Sequence, residues 1–505
     1  MIKSTIQVTL FSLLGIVINF IIQILLAYFF GASEERDAFF AATSVPTYIN
    51  VIISGSFVVV FLPRLIDIGF RKEKDPGVFI NNMITFSVVL LLIIVLPIVL
   101  FSKGIVSLLF HGFNTEKIDL TAKLLIVLSP TLIFQGLANI LVAIYHSKKV
   151  FLKPSCSFLI APVTTILVTY LFKSQWGIIS VAAGSSAGWL FTFLYLRYKA
   201  GIRYKPNMSS LFQDRDFQLC LRQSMPLFLG SFIYRGSTVI EKMVASSFPA
   251  GVISYLGYAS AIVTTLSSVT INGVATTMFP LLSEAWSARD MEKFRKFYSD
   301  SLKVIFILCV PIMLITIVFS KTIIAIVLER GAFNRQDTLE VSRLLALLMG
   351  GYFFLSINTI PGRLFYITGI TRAGLISAIV EVVIYTVLCI LLSRIFSYYG
   401  IAYAQIISVA SATIFSWVIL QVKFQVLQIG PLFRDMLKIA FCGFLSFLLM
   451  YSYRIWFDEQ TFLIMLIFGG FAVVGYFFLL SLLLKDVARL RILIVSKIQN
   501  LIPAK

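Results

Sequence analysis

Three charged side chains interrupt an otherwise apolar stretch, MPLFLGSFIYRGSTVIEKMVASSF, at residues 225–248: Arg235, Glu241 and Lys242. At about 100° per residue, Arg235, Thr238 and Lys242 share one face of a helix. Arg235 lies roughly 15 Å into the stretch at about 1.5 Å per residue, near the middle of a bilayer if the helix spans one. A charge there costs at least about 3 kcal/mol on insertion scales, so it is expected to face water, a counter-ion or a ligand. Two cations on one stripe form a wall suited to phosphate or pyrophosphate, and Arg adds bidentate contacts. The competing reading is a structural ion pair of Arg235 or Lys242 with Glu241 or Glu381. Glu241 and Glu381 are the two carboxylates placed deep in apolar segments of the second half of the chain. A carboxylate so placed takes up a proton or holds a cation, which makes the two a candidate coupling-ion site for Na+ or H+.

The elements that must position these groups are membrane helices. Of 505 residues, 59% are hydrophobic and 13% charged, against about 25% charged in soluble domains. Hydropathy gives about fourteen spans, at residues 6–30, 38–63, 78–101, 119–145, 155–172, 177–196, 225–248, 251–283, 299–319, 338–365, 374–396, 400–422, 432–453 and 461–484. Pro46, Pro130, Pro162, Pro311 and Pro361 are expected to kink the spans that hold them. The net charge of +19 is read as membrane-surface charge rather than as a nucleic-acid footprint. Lys72, Lys74, Lys148, Lys149, Arg197, Lys205, Arg289, Lys293, Lys485 and Arg491 fall on one side of the expected topology, whereas Arg36, Lys103, Lys117, Arg330 and Arg394 fall on the other. The excess on the first side places both termini in the cytoplasm.

The chain also repeats itself. Phe113-Asn114 aligns with Phe333-Asn334 and Lys123 with Arg343 at one offset, and Phe61–Pro63 aligns with Met278–Pro280 at nearly the same offset. The expected fold is therefore an all-α integral membrane protein of about 14 transmembrane helices, with two parallel six-helix lobes and two further C-terminal helices. The expected division is an N-terminal lobe at 1–197, a basic cytoplasmic linker at 198–224, a C-terminal lobe at 225–423, and the last helices with a basic tail at 424–505.

Other polar residues admit both a bland and a functional reading. Asn19 and Gln23 share a helical face and are candidates for the second wall of a polar path; helix-packing hydrogen bonds explain them equally well. Arg64 and Arg363, near inner helix ends, either snorkel to headgroups or meet the phosphates of an entering lipid. Lys123 and Arg343 are expected to snorkel at the outer ends. Asp37 is expected to cap its own helix. Gly112-Phe and Gly331-Ala-Phe are each expected to precede an outer helix, within short amphipathic segments at the outer surface. Five scattered cysteines make no disulfide framework or metal site, and two histidines leave little for His-based catalysis. No P-loop, GxSxG, HExxH or paired CxxC is present, so ATP hydrolysis and enzyme activity are not expected.

With these residues in place, a family resemblance emerges. GASEERDAFFAATSVP (31–46), LERGAFNRQDT (328–338) and RLFYITGITR (363–372) resemble stretches of the MurJ/MviN lipid II flippases, in the multidrug/oligosaccharidyl-lipid/polysaccharide exporter superfamily. The resemblance implies two lobes around a central cavity in the bacterial inner membrane. It further implies alternating access and a polyprenyl-pyrophosphate-linked sugar as substrate, flipped from the inner to the outer leaflet. The chain is expected to act as a monomer among membrane lipids. It sets Glu241 against a helix 7 carboxylate implicated in sodium binding, and Glu381 in the helix that supplies that carboxylate's partner. The family's helix 1 Arg-Asp pair reads Ile22-Gln23 here, its helix 2 basic residues read Asn50-Val51, and its helix 8 Tyr-Ala-Asp-Arg reads Tyr258-Ala259-Ser260-Ala261. A capsule, exopolysaccharide or O-antigen precursor is the alternative substrate, and an ion-coupled drug exporter is a further alternative.

Overall fold

In the computed structural model, residues 2–71, 76–200, 204, 211, 213–425, 429–456 and 462–484 are described. Lys72, Lys74, Lys205, most of the linker between 201 and 212, and the basic tail from 485 lie outside them. The described residues form helices and turns with no strand. The helices are α1 (Ile2–Phe30), α2 (Glu34–Arg71), α3 (Pro76–Leu100), α4 (Ser102–Leu109), α5 (Thr115–Ser147), α6 (Leu152–Ser157), α7 (Ile160–Trp176) and α8 (Ile179–Ala200). They continue with α9 (Arg215–Ala245), α10 (Val252–Ser287), α11 (Met291–Val318), α12 (Ser320–Leu328), α13 (Arg335–Ile367), α14 (Thr371–Phe396), α15 (Tyr399–Phe424), α16 (Ile429–Trp456) and α17 (Phe462–Leu483). Among the described residues, 10 stretches are long and apolar enough to cross a membrane. The remaining segments read from hydropathy are α2, α9, α16 and α17, each a helix in its own right. This is an all-α membrane fold.

Pro46, Pro130, Pro311 and Pro361 lie inside helices as expected. Pro162 does not. The helix breaks between Ser157 and Ile160, and Pro162 falls in the first turn of α7, where its missing N–H has no intrahelical partner to lose.

The chain divides into two compact units. The first comprises Met1–Tyr258, Arg330–Asn334 and Tyr385–Ile401. Here α2 packs on α5 and α9, and α5 and α7 pack on α8. The α7–α8 contact depends on Gly184 and Gly188: a Cβ at Gly188 would lie 2.7 Å from the Cα of Ala161, and one at Gly184 2.9 Å from the Cα of Thr165. Spaced four apart, the two glycines let the backbones touch, which is how apolar helices gain packing energy in lipid. Polar side chains tie the other contacts. Asn50 donates to the Gln135 Oε1 at 2.8 Å, and Tyr145 to the Leu196 carbonyl at 3.0 Å.

The second unit comprises Ala259–Glu329, Arg335–Ile384 and Ala402–Lys505. In it α11 packs on α13 and α16, and α16 on α17. The Tyr352 hydroxyl shares a 2.9 Å hydrogen bond with Thr270, and Lys303 pairs with Asp435 at 2.8 Å. Asp290 caps α11 by accepting from the Lys293 N–H at 3.0 Å. That hydrogen bond, with the Lys293 side chain beside it, holds the Asp290 carboxyl below the usual carboxylate range. The cap is therefore fully present at neutral pH and is lost only as pH falls through this lowered value.

The backbone repeats the offset seen in the sequence. Positive φ occurs at Gly31 and Gly251, at Lys149 and Gly369, and at Gly177 and Ser397; each pair is separated by the spacing that aligns Phe113 with Phe333. α5 and α13 have 33 residues each, and each follows a short helix, α4 or α12.

Candidate substrate and ion site

The charged residues singled out in α9 fall in different surroundings. Arg235 is exposed, and so is Thr238, whose hydroxyl donates to the Arg235 carbonyl at 3.0 Å. One turn on, Lys242 is only 7% exposed. Its ammonium donates to the Glu241 Oε1 at 2.6 Å and lies 5.8 Å from the centre of the Phe40 ring. Neighbours on a helix point about 100° apart. The long Lys side chain bends back across that angle because a bare ammonium and a bare carboxylate are both costly in an apolar surround. The two charges thus form one ion pair. Tyr385, itself buried, stands close to Glu241, with Cys389 beside it. Glu381 is half-buried on α14.

The other candidates are placed as follows. Asn19 is exposed and donates to the Gly15 carbonyl in its own helix at 2.8 Å. Gln23 is half-buried and accepts from the Arg36 Nη2 at 2.7 Å. Arg363 is half-buried, donates to the Ala275 carbonyl at 2.8 Å and lies 5.9 Å from the Phe279 ring centre. Arg64 pairs with Asp67 at 3.3 Å and with Asp216 at the start of α9. Asn82 braces the same place by donating to Asp214, the cap of α9, at 2.9 Å. Lys123 is exposed, and Arg343 pairs with Glu340 at 3.2 Å.

Reasoning from sequence missed one buried polar centre. Arg36 and Lys117 entered that reasoning only as loop cations, yet they are 0% and 8% exposed. Asp37 was expected to cap its own helix. Instead α2 begins at Glu34, with the Ser33 hydroxyl accepting from the Arg36 N–H at 3.2 Å. Asp37 then lies inside the first turn, where its side chain points away from its own free N–H groups. It caps α10 instead. Its Oδ2 accepts from the Gly251 N–H at 2.7 Å, and its Oδ1 from the Ser254 N–H at 2.8 Å and the Ser254 hydroxyl at 2.6 Å. Lys117 adds an ion pair to Oδ2 at 3.0 Å. A carboxylate at a helix N-terminus also meets the positive end of the dipole.

Arg36 sits alongside. Its guanidinium lies 4.0 Å from the centre of the Phe40 ring and donates to the Tyr258 hydroxyl at 3.2 Å, which in turn donates to the Gly31 carbonyl at 2.8 Å. Tight turns close around this centre. The Ala332 N–H donates to the Tyr28 carbonyl at 2.9 Å, and a Cβ on Gly112 would lie 2.1 Å from the Ser246 carbonyl oxygen. One signal was available in the sequence: Arg36 and Asp37 stand in the longest of the stretches that resemble the flippase family.

Comparison with known proteins agrees with the family resemblance. The family model described as "Lipid II flippase MurJ" matches residues 26–473. A probable lipid II flippase MurJ from Buchnera aphidicola (subsp. Schizaphis graminum) is 26% identical over 69% of this chain and 69% of its own. The lipid II flippase MurJ of Thermosipho africanus is 27% identical over 92% of this chain and 93% of its own. Among solved structures, a lipid II flippase MurJ in an inward closed conformation has a TM-score of 0.83 at 24% identity, covering 96% of this chain and 100% of that one. An inward-facing multidrug transporter of the MATE family has a TM-score of 0.65 at 15% identity, covering 81% of this chain and 99% of that one. The two structures speak for the fold alone. The family match runs through nearly all the helices described above, from the end of α1 into α17, and on it the chain belongs to the lipid II flippase MurJ family.

Proposed function

We propose that the chain moves lipid II, an undecaprenyl-pyrophosphate-linked peptidoglycan precursor, across the bacterial cytoplasmic membrane, in which it is a multi-pass protein. The observation that carries this is family membership over residues 26–473. The chain works as a carrier rather than as an enzyme, as a monomer, with both termini in the cytoplasm. Its functional division is an N-terminal lobe at 1–197, a linker at 198–224, a C-terminal lobe at 225–423 and a trailing part at 424–505. The headgroup crosses along a polar path while the prenyl tail stays in lipid.

Alternating access needs one closure at each face, opening in turn. In this orientation the Asp37 cap on α10 is the outer closure, and the Arg64–Asp216 pair is the inner one. The first joins α2 to the start of α10, and the second joins it to the start of α9. Some 27 residues of helix, about 40 Å, separate Asp37 from Arg64, enough to put them at opposite faces of a bilayer. Arg64 holds carboxylates that a lipid pyrophosphate can displace, so arrival of substrate would itself loosen the inner closure. Arg235, exposed on α9, is assigned to the headgroup phosphates, with Asn19, Gln23 and Arg363 as further polar contacts on the path.

The test is reconstitution in liposomes with labelled lipid II. The fraction of headgroups reached by an impermeant reagent should rise with the protein present, and rise less for a capsule-type glycan on the same carrier lipid. Movement of the capsule lipid without lipid II would overturn the substrate assignment. Arg235→Ala should abolish complementation of a flippase-depleted strain while the protein stays in the membrane. Full complementation would remove Arg235 from the mechanism.

A further inference from the structure

A carboxylate buried in a membrane protein must be neutralised by a proton, a bound ion or a neighbouring charge. The family resemblance points to sodium at the position of Glu241, so the question is whether the residues present fit a sodium ion. They do not. Lys242 already supplies a full positive charge 2.6 Å from Oε1, and the pair is 8% and 14% exposed at its two side chains. The groups around it are Phe40, whose ring faces the ammonium, and Tyr385 and Cys389 near the carboxylate. Among the described residues no cluster of three or more His, Cys, Asp or Glu side chains gathers to hold a metal ion. A sodium ion entering here would meet an ammonium at contact range in a low-dielectric surround, where like charges repel strongly. It would also find half of its carboxylate already taken.

We propose that Lys242 is the resident cation of Glu241, a covalently tethered ammonium in the place a mobile ion would otherwise fill. Conformational change at this site therefore carries no sodium. The inference concerns ion binding and stands whether the transported lipid is lipid II or another. It also separates the two cations of the α9 stripe by role: Lys242 answers Glu241, and Arg235 remains for substrate.

The experiment uses the full-length protein in nanodiscs, with thermal stability and retention of radioactive sodium measured in sodium chloride against choline chloride. Wild type should be equally stable in both and retain sodium no better than Glu241→Gln does. Lys242→Gln and Lys242→Met leave the carboxylate without its partner. Each should retain sodium about tenfold better than wild type, the equivalent of one pKa unit of electrostatic relief, and be stabilised by it. Adding Glu241→Gln to either variant should erase the gain, and Lys242→Arg, which keeps the charge, should behave as wild type. A sodium-dependent stabilisation of wild type that Glu241→Gln abolishes would overturn the proposal. So would folded Lys242→Gln and Lys242→Met proteins that gain no sodium binding. If both neutral variants fail to fold, the comparison of wild type with Glu241→Gln and Lys242→Arg decides the matter without them.

Discussion

Asp37 receives four donors at once: two backbone N–H groups, a hydroxyl and an ammonium. Removing the carboxylate leaves Lys117 buried without its counter-charge, a loss of about 3–5 kcal/mol for a buried pair broken on one side. Asp37→Ala should accordingly unfold at clearly lower temperature. Asp37→Ala combined with Lys117→Met should recover part of that loss, because no orphan charge then remains. A double-mutant cycle by thermal denaturation measures the coupling, and additive effects would show that the pair is not coupled. Arg36 makes a second, sharper case. Its planar head is covered by Phe40 and also reaches the Gln23 Oε1 and the Tyr258 hydroxyl. Lysine matches its charge but not this flat, forked geometry, so Arg36→Lys should destabilise almost as much as Arg36→Met. A melting temperature for Arg36→Lys equal to wild type would mean that charge alone is what this position needs.

At the scale of elements, turns determine where helices meet. Gly31 has φ +56, and a Cβ there would lie 2.4 Å from the Ala332 carbonyl oxygen. Both the left-handed backbone and the close approach exclude a side chain. Gly31→Ala should lower stability, by more than the roughly 1 kcal/mol that a strained backbone alone costs, because the 331–334 turn must also retreat. Gly69→Ala is the control: it has open space around it and no positive φ, and should leave the melting temperature near wild type or slightly higher. Asn114 caps α5 by accepting from the Lys117 N–H at 2.8 Å. Asn114→Ala should cost about 1 kcal/mol and also loosen the helix end that presents Lys117 to Asp37. Much at this scale was legible from sequence. Hydropathy located the helices, although α2 ends about eight residues beyond its expected span and α9 and α11 begin about ten and eight residues before theirs, and the Phe-Asn match marked the repeat. The break before α7 was not legible, because apolar character continues across it and only backbone geometry shows that the helix restarts ahead of Pro162.

For the whole molecule, the two ends of α2 should act in opposition. Cys220, buried on α9 one turn after Asp216 and close to Arg64, is a native reporter of the Arg64 end. Asp216→Ala releases Arg64 and should raise the rate at which a maleimide labels Cys220 by about tenfold, the effect of about 1.4 kcal/mol on an opening equilibrium. Asp37→Ala weakens the other end and should lower that rate, provided the protein is assayed below its unfolding temperature. If both substitutions raise labelling equally, they act by general loosening and the idea of two opposed closures fails.

By itself the sequence determined the material and the count: an apolar, positively charged chain of about fourteen helical segments in two related halves, with the family legible in short motifs. These properties are local or periodic, set by what each stretch costs to place in lipid and by the spacing of repeats, so they survive without knowledge of contacts. Only the tertiary structure decided which charges meet. Lys117 reaches Asp37 across 80 positions, and Asp37 reaches Ser254 across 217. Pairing follows the approach of helix ends in space, and no linear pattern encodes that. The same cause turned Lys242 from one member of a cationic stripe into the partner of Glu241, since a buried charge settles with the nearest opposite charge its surroundings allow.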